Sequence, residues 1–190
     1  MRIIAVLFCS FMALISVGAQ STPTTTVISN TENWKDFTSI HGQFKVRVPG
    51  EFKEKADTFD TDIGNLIYHT FFYQDQSEEA ENFIYMISYV DYPVEAVHSD
   101  STDLLEEFFK ATIDQATFSI AGDLAYSNPI EEQGYPGFLW RINYRQNTGI
   151  IKTKALLKDN RYYAIQAVST KELALNPTID RFLDSFKILK

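Results

Sequence analysis

The chain has 190 residues, 45% of them hydrophobic and 14% aromatic, with a formal net charge of −8 at pH 7. An acidic chain of this kind is repelled by phosphate backbones and anionic membrane surfaces, which are bound through Lys and Arg, so nucleic acid is not expected as a partner. The lone cysteine, Cys9, leaves no intrachain disulfide and no Cys-ligated metal site.

Met1-Arg2 gives a positive start, Ile3 to Val17 is an uncharged, mostly apolar run of 15 residues, and Val17-Gly18-Ala19 offers small residues before Gln20. This is the pattern of a secretory signal over residues 1–19, cut between Ala19 and Gln20. As a helix the run rises only about 22 Å, against roughly 30 Å of hydrocarbon, so an uncleaved membrane anchor is the poorer reading. Cys9 sits in mid-run with no small-residue site ahead of it, which argues against lipid attachment. Export to the periplasm or the extracellular space is therefore expected. The absence of Asn-x-Ser/Thr acceptors, Asn176-Pro177-Thr178 being blocked by its proline, points towards a bacterial envelope. Cleavage would also remove Arg2 and Cys9, leaving a chain one charge more negative. At 171 residues from Gln20 to Lys190, that chain can bury roughly 70% of its unfolded surface as one domain.

Residues 20–33, QSTPTTTVISNTEN, are Ser/Thr-rich and read as an exposed tether, with a single domain over 34–190. Strand signals begin at Trp34. Phe44 to Val48 alternates and stops at Pro49-Gly50, as a half-buried strand does. Leu66 to Tyr73 and Phe83 to Val90 are apolar or aromatic at nearly every position, the pattern of strands covered on both faces. The acidic QDQSEEAEN between them would close an antiparallel pair. Thr102 and Asp103 suit a helix N-cap, and Asp103-x-x-Glu106 has capping-box spacing. Leu104, Leu105, Phe108, Phe109, Thr112, Ile113 and Ala116 then form one stripe. Leu124 to Ser127 reads as a short strand, broken by Asn128-Pro129 and the turn-rich Gly134-Tyr135-Pro136-Gly137. Asn176 as N-cap and Pro177 at the first helical position open a last helix striped by Ile179, Phe182, Leu183 and Phe186.

Residues 138–169 read as a three-strand meander. A first hairpin centred on Asn147-Thr148 pairs Arg141 with Lys154 and Asn143 with Lys152, placing Arg141, Arg145, Lys152 and Lys154 on one face. Matching apolar to apolar in the next hairpin sets Leu157 opposite Tyr163 across a three-residue loop, with Asn160 left-handed. A two-residue loop at Asp159-Asn160 would put Lys154 opposite Ile165 and flip the third strand. The order of strands, helix, strands and helix, with strands asking for cover on both faces, describes an α+β fold built on an antiparallel sheet, or an α/β/α sandwich.

That layout resembles the PsbP/Mog1-like superfamily, in particular its exported bacterial members. The likeness is carried by Phe44-Lys45-Val46-Arg47-Val48-Pro49, Ile87-Ser88-Tyr89-Val90-Asp91-Tyr92-Pro93, Gly134-Tyr135-Pro136-Gly137, Tyr162-Tyr163 and Phe182-Leu183-Asp184-Ser185-Phe186, in this order along nearly the whole domain. The resemblance implies an antiparallel sheet flanked by helices and a non-enzymatic, accessory or protein-binding role with no cofactor. It supplies no catalytic residues to carry over.

The residues themselves agree with that implication. His41, His69 and His98 lie far apart and form no HExxH or nucleophile-elbow pattern, and no glycine-rich phosphate cradle is present. Asp75, Glu78, Glu79 and Glu81 share a loop, and Asp57, Asp60 and Asp62 another, but neither has the ligand spacing or the glycine of an EF-hand. The four cations are the sharper candidate. They are either the wet face of a sheet or an acceptor for an acidic partner or anionic ligand. Leu139, Leu156 and Tyr162 on the same face complicate both readings, and a final helix lying there would leave the long side chains to reach its rim. The expected function is a binding or accessory domain for an envelope protein or assembly. The alternatives are a carrier of a small apolar or anionic ligand held between sheet and helix, and a hydrolase whose His and carboxylate meet only in the fold.

Overall fold

The structure, a computed structural model, describes residues 34–189. The signal sequence, the Ala19–Gln20 junction and the tether of 20–33 lie outside the described residues, as do the side chains of Thr102 and Asp103. In chain order the elements are β1 (Lys35–Ser39), β2 (Phe44–Val48), β3 (Lys53–Thr61), β4 (Gly64–Gln74), β5 (Ile84–Asp91), α1 (Thr102–Ser119), β6 (Asp123–Glu132), β7 (Tyr135–Tyr144), β8 (Gly149–Lys158), β9 (Arg161–Thr170), α2 (Pro177–Ser185) and β10 (Lys187–Ile188). Seven strands form an antiparallel sheet in the order β3-β4-β5-β9-β8-β7-β6, and β1, β2 and β10 form a small second sheet. The result is a sheet-dominated α+β fold.

Adjacent residues of β9 show how the layers divide. Tyr163, Ile165 and Ala167 join a core with Ile179, Phe182 and Leu183 of α2 and Phe44, Val46 and Val48 of β2. Tyr162 and Ala164 point the other way, into a core with Phe108, Phe109, Ile113 and Ala116 of α1. Because side chains alternate along a strand, α1 and α2 lie on opposite faces of the large sheet. The small sheet shares the α2 layer, a strand component that the helix-only flanks expected from sequence did not include. Both central strands, β8 and β9, are buried almost end to end, which explains their dense apolar sequences.

Several sequence expectations hold. The Phe44–Val48 strand alternates buried and exposed as read. The polar loop after Gln74 joins β4 to β5 as an antiparallel pair. Asn176 caps α2, its side-chain oxygen accepting from the amides of Thr178 at 3.1 Å and Ile179 at 3.2 Å.

Others are corrected. Residue Ser101, not Thr102 or Asp103, precedes α1, and its side chain makes no capping bond. β6 runs straight through Asn128-Pro129, because it is an edge strand on which a proline's missing N–H is tolerated. β3 was not anticipated, since its alternating charges conceal an exposed edge strand. The first hairpin has a four-residue turn, Arg145 to Thr148, so Arg141 faces Lys152 and Asn143 faces Ile150. Gly149 faces Tyr144 in this register. It stands under the Tyr144 ring, where an added Cβ would come within 2.6 Å of Cε1.

The second hairpin takes the two-residue alternative. Leu156 faces Tyr163 and Lys154 faces Ile165, with Asp159 rather than Asn160 in the left-handed region at φ 54°. Apolar matching could not decide this, because β9 is apolar on both faces. The loop after β5 decides it. The Asn160 side-chain amide donates to the Tyr92 carbonyl. The Tyr92 amide donates back to the Asn160 carbonyl at 2.9 Å, and the Ser99 amide to the Asp159 carbonyl at 2.7 Å. Tyr163, not Tyr162, therefore shares the face of the lysines.

Candidate functional site

The basic face lies under α2. Lys152 and Lys154 project from β8 on the α2 side, and the acidic residues Asp180 and Asp184 stand one turn apart on that helix. Lys152 Nζ reaches Asp180 Oδ1 at 2.5 Å. Lys154 Nζ donates to Asp184 Oδ1 at 2.8 Å and to Glu132 Oε2, from β6, at 2.7 Å. Lys154 is only 5% exposed, with its stem in the α2 core and its ammonium at the rim. Of the four cations, then, two hold α2. Arg141 lies over the Tyr126 ring, 5.6 Å from its centroid. Arg145 has left the strand for the β7–β8 turn, at φ 50°, and lies 5.7 Å over the Tyr144 ring.

A second cationic feature, not foreseen from sequence, ties the opposite end of the sheet. Arg161 opens β9 and grips Asp91, the last residue of β5, with two bonds of 2.5 and 2.6 Å, and donates to the His41 carbonyl at 2.9 Å. Its guanidinium covers the Tyr89 ring at 4.8 Å. His69 stacks on that ring from the β4 side at 4.6 Å, so an imidazole, a phenol and a guanidinium form one column across three strands. The hydrogen bond to Asp91 keeps Arg161 firmly protonated. Tyr163 beside it donates to the Gly42 carbonyl at 2.9 Å, and burial pushes its phenol up to about 12. No signal in the sequence distinguished Arg161 from a solvated arginine; only the register across β5 and β9 brings Asp91 to it.

The histidines remain dispersed. His98 is 3.6 Å from Asp100 in the loop before α1, His69 is in the column just described, and His41 is at the β1–β2 turn. In the acidic loop, Asp75 accepts from the Ser77 amide and hydroxyl, and Glu81 accepts from Thr178 at 2.9 Å. Asp57 lies on β3, paired with Lys55 at 2.8 Å. Among the described residues, no three His, Cys, Asp or Glu side chains converge as a metal ion would require.

The α1 face carries polar groups that its core does not satisfy. Tyr162 Oη, Trp140 Nε1 and Gln166 Oε1 are buried without a hydrogen-bond partner. Trp140, Thr153 and Gln166 stand side by side on β7, β8 and β9, with Gln166 donating to Thr153 at 3.1 Å. Tyr68 and Tyr92 share a hydroxyl contact of 3.0 Å nearby, and burial pushes both phenols, and that of Tyr162, upward.

Of the exposed large apolar side chains, Ile40, Ile67 and Val94 stand elsewhere on the surface, and four are at one end of the sheet. Phe118, at the end of α1, is 81% exposed, and Leu175, just before α2, is 90% exposed; Leu124 and Leu173 are also exposed. The strand register places all four segments at the end marked by the β7–β8 turn, and the Lys171 amide ties the Leu173–Leu175 loop to that turn through the Thr148 carbonyl at 2.9 Å. Arg145 lies in the same turn.

No family model and no curated protein matches the sequence. Among solved structures, the chain is similar to the solution structure of cyanobacterial PsbP (CyanoP) from Synechocystis sp. PCC 6803. The two share 11% identity at a TM-score of 0.50, over 90% of this chain and 99% of that one. At this identity the likeness speaks for the fold alone, and the fold of this chain is PsbP-like.

Proposed function

We propose that this chain is an exported binding or accessory domain, built as a three-layer sandwich, that docks an envelope protein. The observation that carries the reading is the exposed end formed by Phe118, Leu124, Leu173 and Leu175 beside Arg145. Exposed apolar side chains also occur singly elsewhere, at Ile40, Ile67 and Val94, but Phe118 and Leu175 are the most exposed of all, and grouped apolar side chains of this kind suit an interaction surface. Support for this pole over the basic face comes from the lysines, whose charges already meet Asp180, Asp184 and Glu132 within the fold. The test is crosslinking in the native cell envelope. Capture of one polypeptide by the parent, lost on Phe118→Asp or Leu175→Asp at an unchanged melting temperature, supports the reading. Undiminished capture by both variants overturns the assignment of this pole.

A second reading, a carrier of a small ligand between the large sheet and α1, is favoured by one specific observation, the unpartnered polar atoms of Tyr162, Trp140 and Gln166 beneath that helix. A buried donor or acceptor without a partner costs about 1–3 kcal/mol, which a ligand bearing both functions would offset. Native mass spectrometry of protein recovered from its own cells separates the two readings, since a small added mass supports the carrier and a bare chain removes it.

A further inference from the structure

The large sheet has two edges, β6 and β3. β6 is guarded by Pro129 and by a register slip between Leu124 and Tyr126. β3 has neither device. Its residues Lys53 to Thr61 pair without interruption on the β4 side and contain no proline or glycine, and among the described residues no strand pairs with the other side, which offers a regular row of backbone donors and acceptors. Charged side chains ordinarily protect such an edge. Here their order is self-complementary. Lys53, Lys55, Asp57 and Phe59 stand opposite Phe72, Thr70, Tyr68 and Leu66 and so share the α1 face of the sheet.

We propose that β3 is the seam of a homodimer, in which two copies pair antiparallel about a two-fold axis at Ala56 and the two large sheets become one. In that register Lys55 opposes the second copy's Asp57, and Asp57 its Lys55, so the existing Lys55–Asp57 pair extends into a ring of four alternating charges. The stem of Lys53 covers the half-buried Phe59 of the other copy. Ala56, at the axis, is small enough for close approach. Neighbouring registers fail on charge. A two-fold axis at Lys55 or Asp57 sets that residue against itself, and the latter also sets Glu54 against Asp60. An axis at Thr58 avoids repulsion but makes no ion pair.

The test is the mass in solution, by sedimentation, of protein purified from its native cells at tens of micromolar. The parent is expected to sediment with the mass of two chains. Lys55→Asp and Asp57→Lys each oppose like charges and are expected to weaken the dimer by about tenfold or more. The double variant Lys55→Asp with Asp57→Lys restores both cross-strand pairs and the dimer. Both side chains are solvent-accessible, so an unchanged circular dichroism spectrum shows that the singles remain folded. A single-chain mass for the parent overturns the proposal, as do single variants that stay dimeric or a double variant that stays monomeric.

Discussion

Lys154 is the side chain whose removal most sharply tests this account of the basic face. Its ammonium sits between Glu132 at 2.7 Å and Asp184 at 2.8 Å, and its side chain is 6% exposed. Removing one partner of a fully buried pair costs about 3–5 kcal/mol, because a charge is left in a poor solvent. The cost here is smaller. The Asp184 carboxylate is largely in water and rehydrates, and Glu132 keeps a distant partner in Lys187 at 3.8 Å. About 2–3 kcal/mol is therefore expected for Lys154→Gln. For a domain of this size each kcal/mol lowers the melting temperature by about 2–4 °C, so the midpoint should fall by about 4–12 °C. Lys152→Gln breaks a pair whose carboxylate is mostly solvated and should cost only about 0.5–1 kcal/mol. Thermal denaturation followed by circular dichroism compares the two directly. Replacing Lys154 by Met together with Glu132→Gln should recover part of the loss, because no unpaired charge stays buried. If Lys154→Gln melts within about 2 °C of the parent, or no lower than Lys152→Gln, the lysine is a wet-face residue and the reasoning fails.

Two further outcomes follow from the core. Tyr162 and Tyr163 stay protonated in the fold well above their ordinary range, chiefly through burial, whereas the same phenols ionise near pH 10 once unfolded. The stability they contribute is complete below about pH 10 and is lost as pH rises, by about 1.4 kcal/mol per phenol for each further unit, up to about pH 12 for Tyr163. Alkaline unfolding should therefore coincide with a cooperative rise in phenolate absorbance, and independent, gradual ionisation without unfolding would contradict the burial argument. At Gly137, opposite Leu156 in the sheet, an added Cβ would lie 2.0 Å from the Ala155 carbonyl oxygen, a backbone atom that cannot turn aside. Gly137→Ala should cost about 3 kcal/mol or more and leave little soluble protein, and a variant melting like the parent would show that β7 can shift where the packing forbids it.

Much of the architecture was legible because hydrophobic period and cap chemistry act locally. Asn176-Pro177 announced α2, the stripe from Leu104 to Ala116 announced α1, and the dense strands Leu66–Tyr73 and Phe83–Val90 announced a sheet covered on both sides. What escaped was set by distant partners. β3 reads as a loop because an edge strand needs no apolar alternation, only a neighbour, and β4 supplies it. The β8–β9 register was ambiguous because β9 is apolar on both faces, and the arbiter is Asn160, bonded to Tyr92 in a loop far earlier in the chain. The candidate site was legible by halves. Arg141, Lys152 and Lys154 do share one face, though in a register shifted by two residues from the one expected, and Arg145 lies in the turn instead. That face became a helix-binding surface only once α2 folded back onto it.

The pairing of that helix with β8 also accounts for a local anomaly. α2 has an aspartate in its last turn and no basic residue there to offset the negative end of its dipole, an arrangement that frays an isolated helix. Lys154 supplies the missing cation from the sheet, at the carboxylate that most needs it, while Lys152 pairs with Asp180 in the first turn, where a carboxylate already suits the dipole. The helix is thus poorly suited to stand alone and well suited to one seat. Its apolar stripe decides that it packs, through Ile179, Phe182 and Leu183, and the two lysines decide its position along the strands. In an acidic chain, cations concentrated on one strand need no external anion to explain them when a helix carrying aspartates at matching intervals must be held in register. That is why Phe118 and Leu175, exposed to water, and the outer side of the β3 edge are the better places to look for what this protein binds.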